Sequence, residues 1–232
     1  MSRIVVLTGA GISAESGLGT FRGPGGLWER HDVTELATPE AFARDPALVH
    51  RFYNARRAAA AAAEPNAAHR ALVRLADAWP GEVAVITQNV DALHERAGQT
   101  GVIHVHGELA CALCGACGAR WDAPAEMSPR TPCPACGAAA ARPDVVWFGE
   151  VPYQLDDCAA LVERADLFAA IGTSGQVWPV AGFAEMAAGA GARTVELTLE
   201  PGPASRRFDE HRHGPATATV PDWVDRVLSD GV

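Results

Sequence analysis

The stretch Ile4-Val5-Val6-Leu7-Thr8-Gly9-Ala10-Gly11-Ile12-Ser13-Ala14 decides the fold class of this 232-residue chain. Its apolar, β-branched start predicts a buried strand, and the glycines directly after it match the G-x-G-x-x-[GA] pattern of dinucleotide-binding turns. Glycines let the backbone approach a pyrophosphate, whose charge is favoured at a helix N-terminus. The alternative is a glycine-rich turn without a ligand. No clear acidic residue ends a second strand about 20 residues on, as the usual fingerprint requires.

Short apolar runs alternate with alanine-rich stretches along the rest of the chain. The runs predict strands near residues 83–87, 102–105, 167–171, 194–199 and 217–220. The stretches between them predict helices after Thr38, over 47–63, from Asn66 to Trp79, from Pro179 to Met186 and from Pro221 onward. This alternation predicts a buried parallel sheet.

Four of the six cysteines form two C-x-x-C pairs, Cys114 with Cys117 and Cys133 with Cys136, separated by 15 residues. This spacing is typical of a four-thiolate zinc ribbon. Four thiolates complete the tetrahedron and leave no position for water, so the predicted zinc ion is structural. Two redox-active C-x-x-C motifs are the alternative.

Two segments do not fit the alternating pattern, the helical block 34–78 and the cysteine segment 110–142. We therefore predict an α/β fold with a Rossmann-like parallel-sheet domain and a small domain of inserted helices and a zinc ribbon. The large domain is predicted to comprise residues 1–33, 79–109 and 143–232, and the small domain residues 34–78 and 110–142.

Net charge and hydropathy indicate which classes of partner and which cellular compartment to expect. Acidic residues outnumber basic ones 28 to 19, for a formal charge of −9, which argues against nucleic acid as a partner. The apolar run from Met1 to Leu7 is too short for a signal peptide, and no apolar run of about 18 residues occurs. We expect a cytoplasmic protein without a membrane partner.

Polar residues gather where two predicted strands end. Thr87-Gln88-Asn89-Val90-Asp91 follows one strand, and His104-Val105-His106-Gly107-Glu108 ends the next. Open α/β sheets hold their ligands at the carboxyl ends of their strands, so these residues predict a site. His106 lies at the strand end and is our candidate for a catalytic residue, whereas His104 is one pleat deeper and is expected to pack.

Together these residues resemble the sirtuin family of NAD-dependent protein lysine deacylases. The matching segments run in family order over nearly the whole chain, at 9–13, 20–22, 87–91, 106–107, the four cysteines, 145–149, 172–174 and 199–201. Within the family, residues 20–22, 37–42 and 53–56 resemble the class III branch, which includes bacterial desuccinylating members.

The resemblance implies NAD as co-substrate, one structural zinc ion and acylated lysine in proteins as substrate. It implies catalytic roles for His106 and Asn89, with His106 as general base on a ribose hydroxyl while the acyl group passes from lysine to ADP-ribose. Imidazole suits this role because its ordinary pKa of about 6.5 leaves much of it neutral near pH 7. The implied cofactor-binding residues are Gly9, Ala10, Gly11, Ser13, Ala14, Glu15, Phe21, Arg22, Gln88, Asn89, Asp91, Gly172, Thr173, Ser174, Thr198, Leu199, Glu200 and Ala218.

The resemblance also implies which groups bind the substrate. Tyr53 and Arg56 lie three apart on a predicted helix and share one face, where they would bind the distal carboxylate of succinyl- or malonyl-lysine. Without the resemblance, Tyr53 would be a core residue and Arg56 a solvated charge. Val146, Trp147, Phe148 and Gly149 would pair with the substrate peptide as an added strand. ADP-ribosyl transfer and a Rossmann oxidoreductase remain alternatives.

Overall fold

The computed structural model describes residues 2–20 and 33–231, and two sheets dominate its fold. The strands are β1 Arg3–Thr8, β2 Glu82–Thr87, β3 Ile103–His104, β4 Gly107–Cys114, β5 Arg120–Asp122, β6 Ala141–Val145, β7 Leu167–Ile171, β8 Arg193–Thr198 and β9 Glu210–His213. A six-stranded parallel sheet has the order β3-β2-β1-β7-β8-β9, and a three-stranded antiparallel sheet has the order β5-β4-β6.

Eight α-helices lie within the described part of the chain. They are α1 Val33–Leu36, α2 Pro39–Arg44, α3 Pro46–Ala62, α4 Ala67–Ala78, α5 Leu93–Arg96, α6 Leu155–Val162, α7 Phe183–Gly189 and α8 Ala216–Asp230. None of these described helices is both long and apolar enough to cross a membrane. The predicted α/β class is confirmed.

Helix starts follow the capping residues in the sequence. The Thr38 side chain accepts a hydrogen bond from the Ala41 amide at 3.0 Å, and Pro39 occupies the first position of α2. Asn66 caps α4 through the Ala68 amide at 2.9 Å, while the His69 ring accepts from the Asn66 amide. These side chains bond amides that a helix start leaves unpaired.

The predicted strand at 217–220 is wrong, because that segment belongs to α8. Its buried residues Val220, Trp223, Val224 and Val227 recur every three or four positions, as a helix face requires. They pack with the buried residues of α4. The helix also begins five residues before Pro221, the predicted start. The sixth strand of the large sheet is β9 instead, which pairs in parallel with β8.

Helix α4 packs against the large sheet. Leu72 and Leu75 are fully buried in one cluster with Ile4 and Val6 of β1, so α4 covers a face of the large sheet. The predicted assignment of residues 67–78 to the small domain stays a prediction beside this packing. By contrast, α3 places Val49 and Tyr53 in a separate cluster with Trp147. The remaining domain limits stay a prediction.

The large sheet aligns the ends of its central strands. Thr8 of β1 is paired with Thr87 of β2 and with Ile171 of β7. The chain leaves these three strands at Gly9, Gln88 and Gly172. Three of the predicted site segments therefore meet at the carboxyl ends of the central strands, as expected for an open parallel sheet.

Candidate active site

A cavity of about 670 Å³ opens at these strand ends. Its size falls in the range of about 300 to 1,000 Å³ that is usual for ligand sites. Most of the predicted site residues line it, namely Gly9, Ala10, Gly11, Tyr53, Arg56, Gln88, Asn89, His106, Val146, Trp147, Phe148, Gly149, Gly172, Thr173, Ser174, Thr198, Leu199 and Glu200. The structure therefore brings the two glycine loops, the candidate base and the candidate substrate residues to one space.

A smaller cavity of about 210 Å³ adjoins the first and shares Ala10, Thr20, Arg56, Asn89 and Val90 with it. Ser13 and Asp91 line this second space.

Among the predicted cofactor-binding residues that the structure describes, Ala14, Glu15 and Ala218 line neither cavity. The Glu15 carboxylate instead accepts hydrogen bonds from the amide and the hydroxyl of Thr217, at 2.9 and 2.6 Å, near the start of α8. Phe21 and Arg22 lie outside the described residues, so their roles stay predictions.

The two glycine loops pack backbone against backbone. The Gly11 amide donates to the Gly172 carbonyl at 2.8 Å, and a Cβ at Gly11 would lie 2.6 Å from the Gly172 Cα. Gly172 itself has φ 61°, a conformation that favours glycine. Close packing of the loops thus already requires glycine, and the case for a ligand rests on the cavity that both loops line.

Burial and one hydrogen bond favour a neutral His106 ring. Its Nδ1 lies 3.2 Å from the Gln88 carbonyl oxygen, which can only accept, so Nδ1 carries the proton and Nε2 has the lone pair. Burial lowers the pKa of His106, and the bond to the Gln88 carbonyl offsets this only in part. The following Gly107 has φ 78°, and a Cβ there would lie 2.1 Å from the Asp144 carbonyl oxygen.

Asn89 is buried and fixed on three sides. Its side-chain amide donates to the Ser13 hydroxyl at 3.1 Å, and its backbone amide donates to the Thr87 hydroxyl at 3.0 Å. The backbone carbonyl oxygen of Asn89 lies 3.0 Å from Nδ1 of His104. Nε2 of His104 in turn lies 2.9 Å from the Glu95 carboxylate. His104 thus packs as predicted, and it also positions Asn89.

Asp91 and Gln88 are held by neighbours as well. Burial raises the pKa of Asp91, while hydrogen bonds from the Leu93 amide and the Ser13 hydroxyl lower it. The Gln88 side-chain amide donates to the Thr173 hydroxyl at 3.0 Å, which links the ends of β2 and β7. Both groups present fixed polar atoms to the cavities.

Tyr53 and Arg56 reach the cavity from one face of α3. The Tyr53 phenol oxygen accepts a hydrogen bond from the Trp147 indole at 3.0 Å, and burial raises the pKa of Tyr53 to about 12. Burial lowers the pKa of Arg56, but a guanidinium stays protonated in proteins. A neutral phenol and a cation therefore stand together in the cavity wall.

The backbone of residues 146–149 is partly engaged within the protein. Val146 and Phe148 donate their amides to the carbonyls of His106 and Ala37, each at 2.9 Å, and the Trp147 amide donates to the Glu150 carboxylate. These three amides are therefore already engaged, and the Trp147 carbonyl accepts from the Glu150 amide at 3.0 Å.

Sequence reasoning missed Gln176, Val177 and Trp178, which also line this cavity. The only signal for these residues was their position directly after the Gly172–Thr173–Ser174 segment. Trp178 is 63% exposed, which is unusual for so large an apolar side chain.

The four cysteines of the predicted ribbon converge as a metal site requires. The Sγ atoms of Cys114 and Cys136 are 3.7 Å apart, those of Cys117 and Cys133 are 3.8 Å apart, and all four lie within 4.8 Å of one another. Zinc–sulfur bonds of about 2.3 Å give sulfur–sulfur edges of about 3.8 Å in a tetrahedron. The donor set and its spacing therefore fit a structural zinc ion.

Comparisons with known proteins agree with this geometry. The pattern of the Sir2 family matches residues 9–179. The NAD-dependent protein deacylase of Caulobacter vibrioides is 52% identical over 231 residues, covering 98% of this chain and 97% of the relative. That of Escherichia coli (strain K12) is 51% identical over 229 residues, covering 97% and 82%. A mutant Sir2 homologue solved with ADP-ribose superposes with a TM-score of 0.91 at 40% identity, covering 98% and 92%. The chain belongs to the Sir2 family.

Proposed function

We propose that this protein removes succinyl and malonyl groups, as well as acetyl groups, from lysine side chains of proteins. It is an NAD-dependent protein deacylase, as its relatives at about 50% identity over nearly the whole chain are. The products are nicotinamide, free lysine and O-acyl-ADP-ribose. The proposal that the protein removes several kinds of acyl group rests on one observation. Arg56 and Tyr53 both line the active-site cavity.

An acyl chain that ends in a carboxylate finds complementary groups in that wall. A guanidinium fork bonds both oxygens of a carboxylate, and a phenol hydroxyl can donate a third hydrogen bond. The Tyr53 O–H can donate to a ligand, because the bond from Trp147 uses a lone pair of the phenol oxygen and not its hydrogen. An acetyl group has no carboxylate and would use neither contact fully. We therefore expect acetyl-lysine to gain less binding free energy from Arg56 and Tyr53 than succinyl-lysine does.

The remaining chemistry belongs to residues at the carboxyl ends of the central strands. NAD supplies a ribose whose bond to nicotinamide can be broken. His106 accepts a proton from a hydroxyl through Nε2, since Nδ1–H is held by the Gln88 carbonyl. Asn89 and Asp91 orient polar groups of the bound cofactor, and the Gly9 and Gly172 loops allow close approach of its phosphates.

The four-cysteine site has no part in the reaction. It lies in the ribbon around β4 and β5, and a closed tetrathiolate site binds no substrate. Thiolates that hold zinc favour a reducing compartment, and we therefore place the protein in the cytoplasm.

The proposal is tested by mass spectrometry of one peptide sequence carrying succinyl-, malonyl- or acetyl-lysine, incubated with NAD. The expected products are free lysine, nicotinamide and the matching O-acyl-ADP-ribose, with succinyl-lysine turned over at least as efficiently as acetyl-lysine. Turnover of the acetyl peptide alone would refute the acyl assignment. A peptide that gains the mass of ADP-ribose would indicate ADP-ribosyl transfer instead.

A further inference from the structure

Three side chains with metal-binding atoms meet on the large sheet outside the cavity. They are Glu196 on β8 and His211 and His213 on the edge strand β9. Glu196 is paired with His211, and His213 lies two residues further along β9, so all three project from the same face of the sheet. Their ligand atoms all lie within 4.8 Å of one another.

The distances are close to those of a metal centre. Oε2 of Glu196 lies 3.6 Å from Nδ1 of His211 and 3.7 Å from Nε2 of His213. Two nitrogen or oxygen ligands at about 2.0 to 2.1 Å from a tetrahedral zinc ion are about 3.4 Å apart. The two distances from Glu196 Oε2 exceed this spacing by only a few tenths of an ångström, and the ligand atoms of the two histidines lie within 4.8 Å of each other.

Glu196 supplies an independent reason to expect a ligand. Its side chain is only 4% exposed, and its buried Oε2 accepts no hydrogen bond from the described residues. A buried carboxylate oxygen without a partner is costly, and both imidazole nitrogens are too distant for hydrogen bonds. The oxygen nevertheless points between two histidines that are 37% and 34% exposed, so an ion could enter from solvent.

We propose that Glu196, His211 and His213 form a second metal site, which binds an exchangeable divalent transition-metal ion such as Zn²⁺ or Ni²⁺. Imidazole with carboxylate suits these ions, whereas Mg²⁺ and Ca²⁺ prefer oxygen ligands alone. Three protein ligands leave coordination positions for water. This distinguishes the site from the closed cluster of Cys114, Cys117, Cys133 and Cys136.

An ion at this site would cross-link the last two strands of the sheet. Among the strands that the structure describes, β8 is the one hydrogen-bonded neighbour of the edge strand β9. The metal would therefore fasten β9 to β8 at Glu196, just before Thr198, Leu199 and Glu200, which line the active-site cavity. The expected consequence is a higher melting temperature with bound metal.

Isothermal titration calorimetry with ZnCl₂ and with NiCl₂ tests the proposal. The full chain is used with its cysteine-bound zinc in place, after brief dialysis against a weak chelator. One further ion per chain should bind. Glu196→Gln and His213→Ala should each weaken that binding by at least about tenfold, since even residues behind the ligands change affinity by this much. The matched control is Glu185→Gln, an exposed carboxylate on α7, which should bind like the unaltered protein.

Two results would overturn the proposal. One is the absence of any ion beyond the cysteine-bound zinc, and the other is equal affinity in the ligand variants and the control. Either would leave the trio as close neighbours that bind no metal. Zinc content measured by elemental analysis checks that each variant keeps its ribbon. Should Glu196→Gln misfold, His211→Gln and His213→Gln carry the same test at partly exposed positions.

Discussion

Trp147 donates its indole N–H to the phenol oxygen of Tyr53 at 3.0 Å, and this bond joins α3 to the loop after β6. Both side chains are buried, at 2% and 4% exposure. One bond therefore fixes the position of the predicted acyl-binding phenol and the position of the predicted peptide-binding loop. A change at either residue should affect stability and substrate binding together.

Tyr53→Phe should reduce the free energy of unfolding by about 1 to 3 kcal/mol, because it leaves the buried Trp147 N–H without its acceptor. Urea unfolding followed by fluorescence measures this loss. A double-mutant cycle with Trp147→Phe provides the control, since Tyr53→Phe should cost much less when the indole is already absent. The same loss in both backgrounds would show that the bond contributes nothing.

Arg56→Met should lower kcat/KM for succinyl-lysine peptide roughly 30-fold or more. This corresponds to a loss of about 2 kcal/mol of transition-state binding, as for one charged hydrogen-bonded pair. Turnover of the matched acetyl peptide should change much less. Arg51→Met is the control, because Arg51 lies exposed on the same helix. Equal losses on both peptides would make Arg56 a structural residue.

His106→Ala should lower turnover by about 10²- to 10⁴-fold, as expected for loss of a general base. NAD binding, measured by calorimetry, should be retained. Because burial lowers the pKa of His106, the acidic limb of kcat/KM should fall below the ordinary pKa of about 6.5. A limb above that value, or near-normal deacylation by a folded His106→Ala protein, would contradict the assignment.

Much of this fold and site could be predicted because the signals are local. Apolar runs identify buried parallel strands, and two C-x-x-C pairs identify the cysteine cluster. The edge strand β9 was not predicted, because its sequence, Glu210-His211-Arg212-His213, has no apolar residue. Conversely, the β-branched residues of 217–220 suggested a strand, yet tertiary packing against α4 makes them helical.

Two other features depend on contacts between distant segments. The apolar face of α4 is visible in the sequence, but the surface that it covers is not. Likewise, the hydrogen bond from His106 to the Gln88 carbonyl depends on how β2 and β3 end beside each other. The sequence proposed the base, and only the structure assigns its protonated nitrogen.

Cys114→Ser should remove zinc from the ribbon and unfold the segment around β4 and β5. Structural zinc in comparable sites contributes about 10 to 16 kcal/mol of apparent binding free energy at pH 7. Elemental analysis and proteolysis measure both effects. Cys111→Ser is the control, since Cys111 lies outside the cluster and should leave zinc in place. Well-folded, active Cys114→Ser protein with no zinc would contradict a structural role for the metal.

Stability should fall as the pH drops below about 6.5, because His69 and His94 are buried in the neutral form. Burial lowers their pKa values to about 4 and about 3, and their rings lie 5.0 Å apart. The unfolded chain binds protons from about pH 6.5 downward, whereas the folded chain does so only near the lowered values. Each histidine therefore costs up to about 1.4 kcal/mol per pH unit in that window.

His94→Gln retains a polar group for the Thr8 hydroxyl, which lies 3.0 Å from His94 Nε2, and should reduce the slope of unfolding free energy between pH 6.5 and about 4.5. Urea titrations across that range measure the slope, and an unchanged slope in a folded variant would show that His94 is not a source of the acid sensitivity.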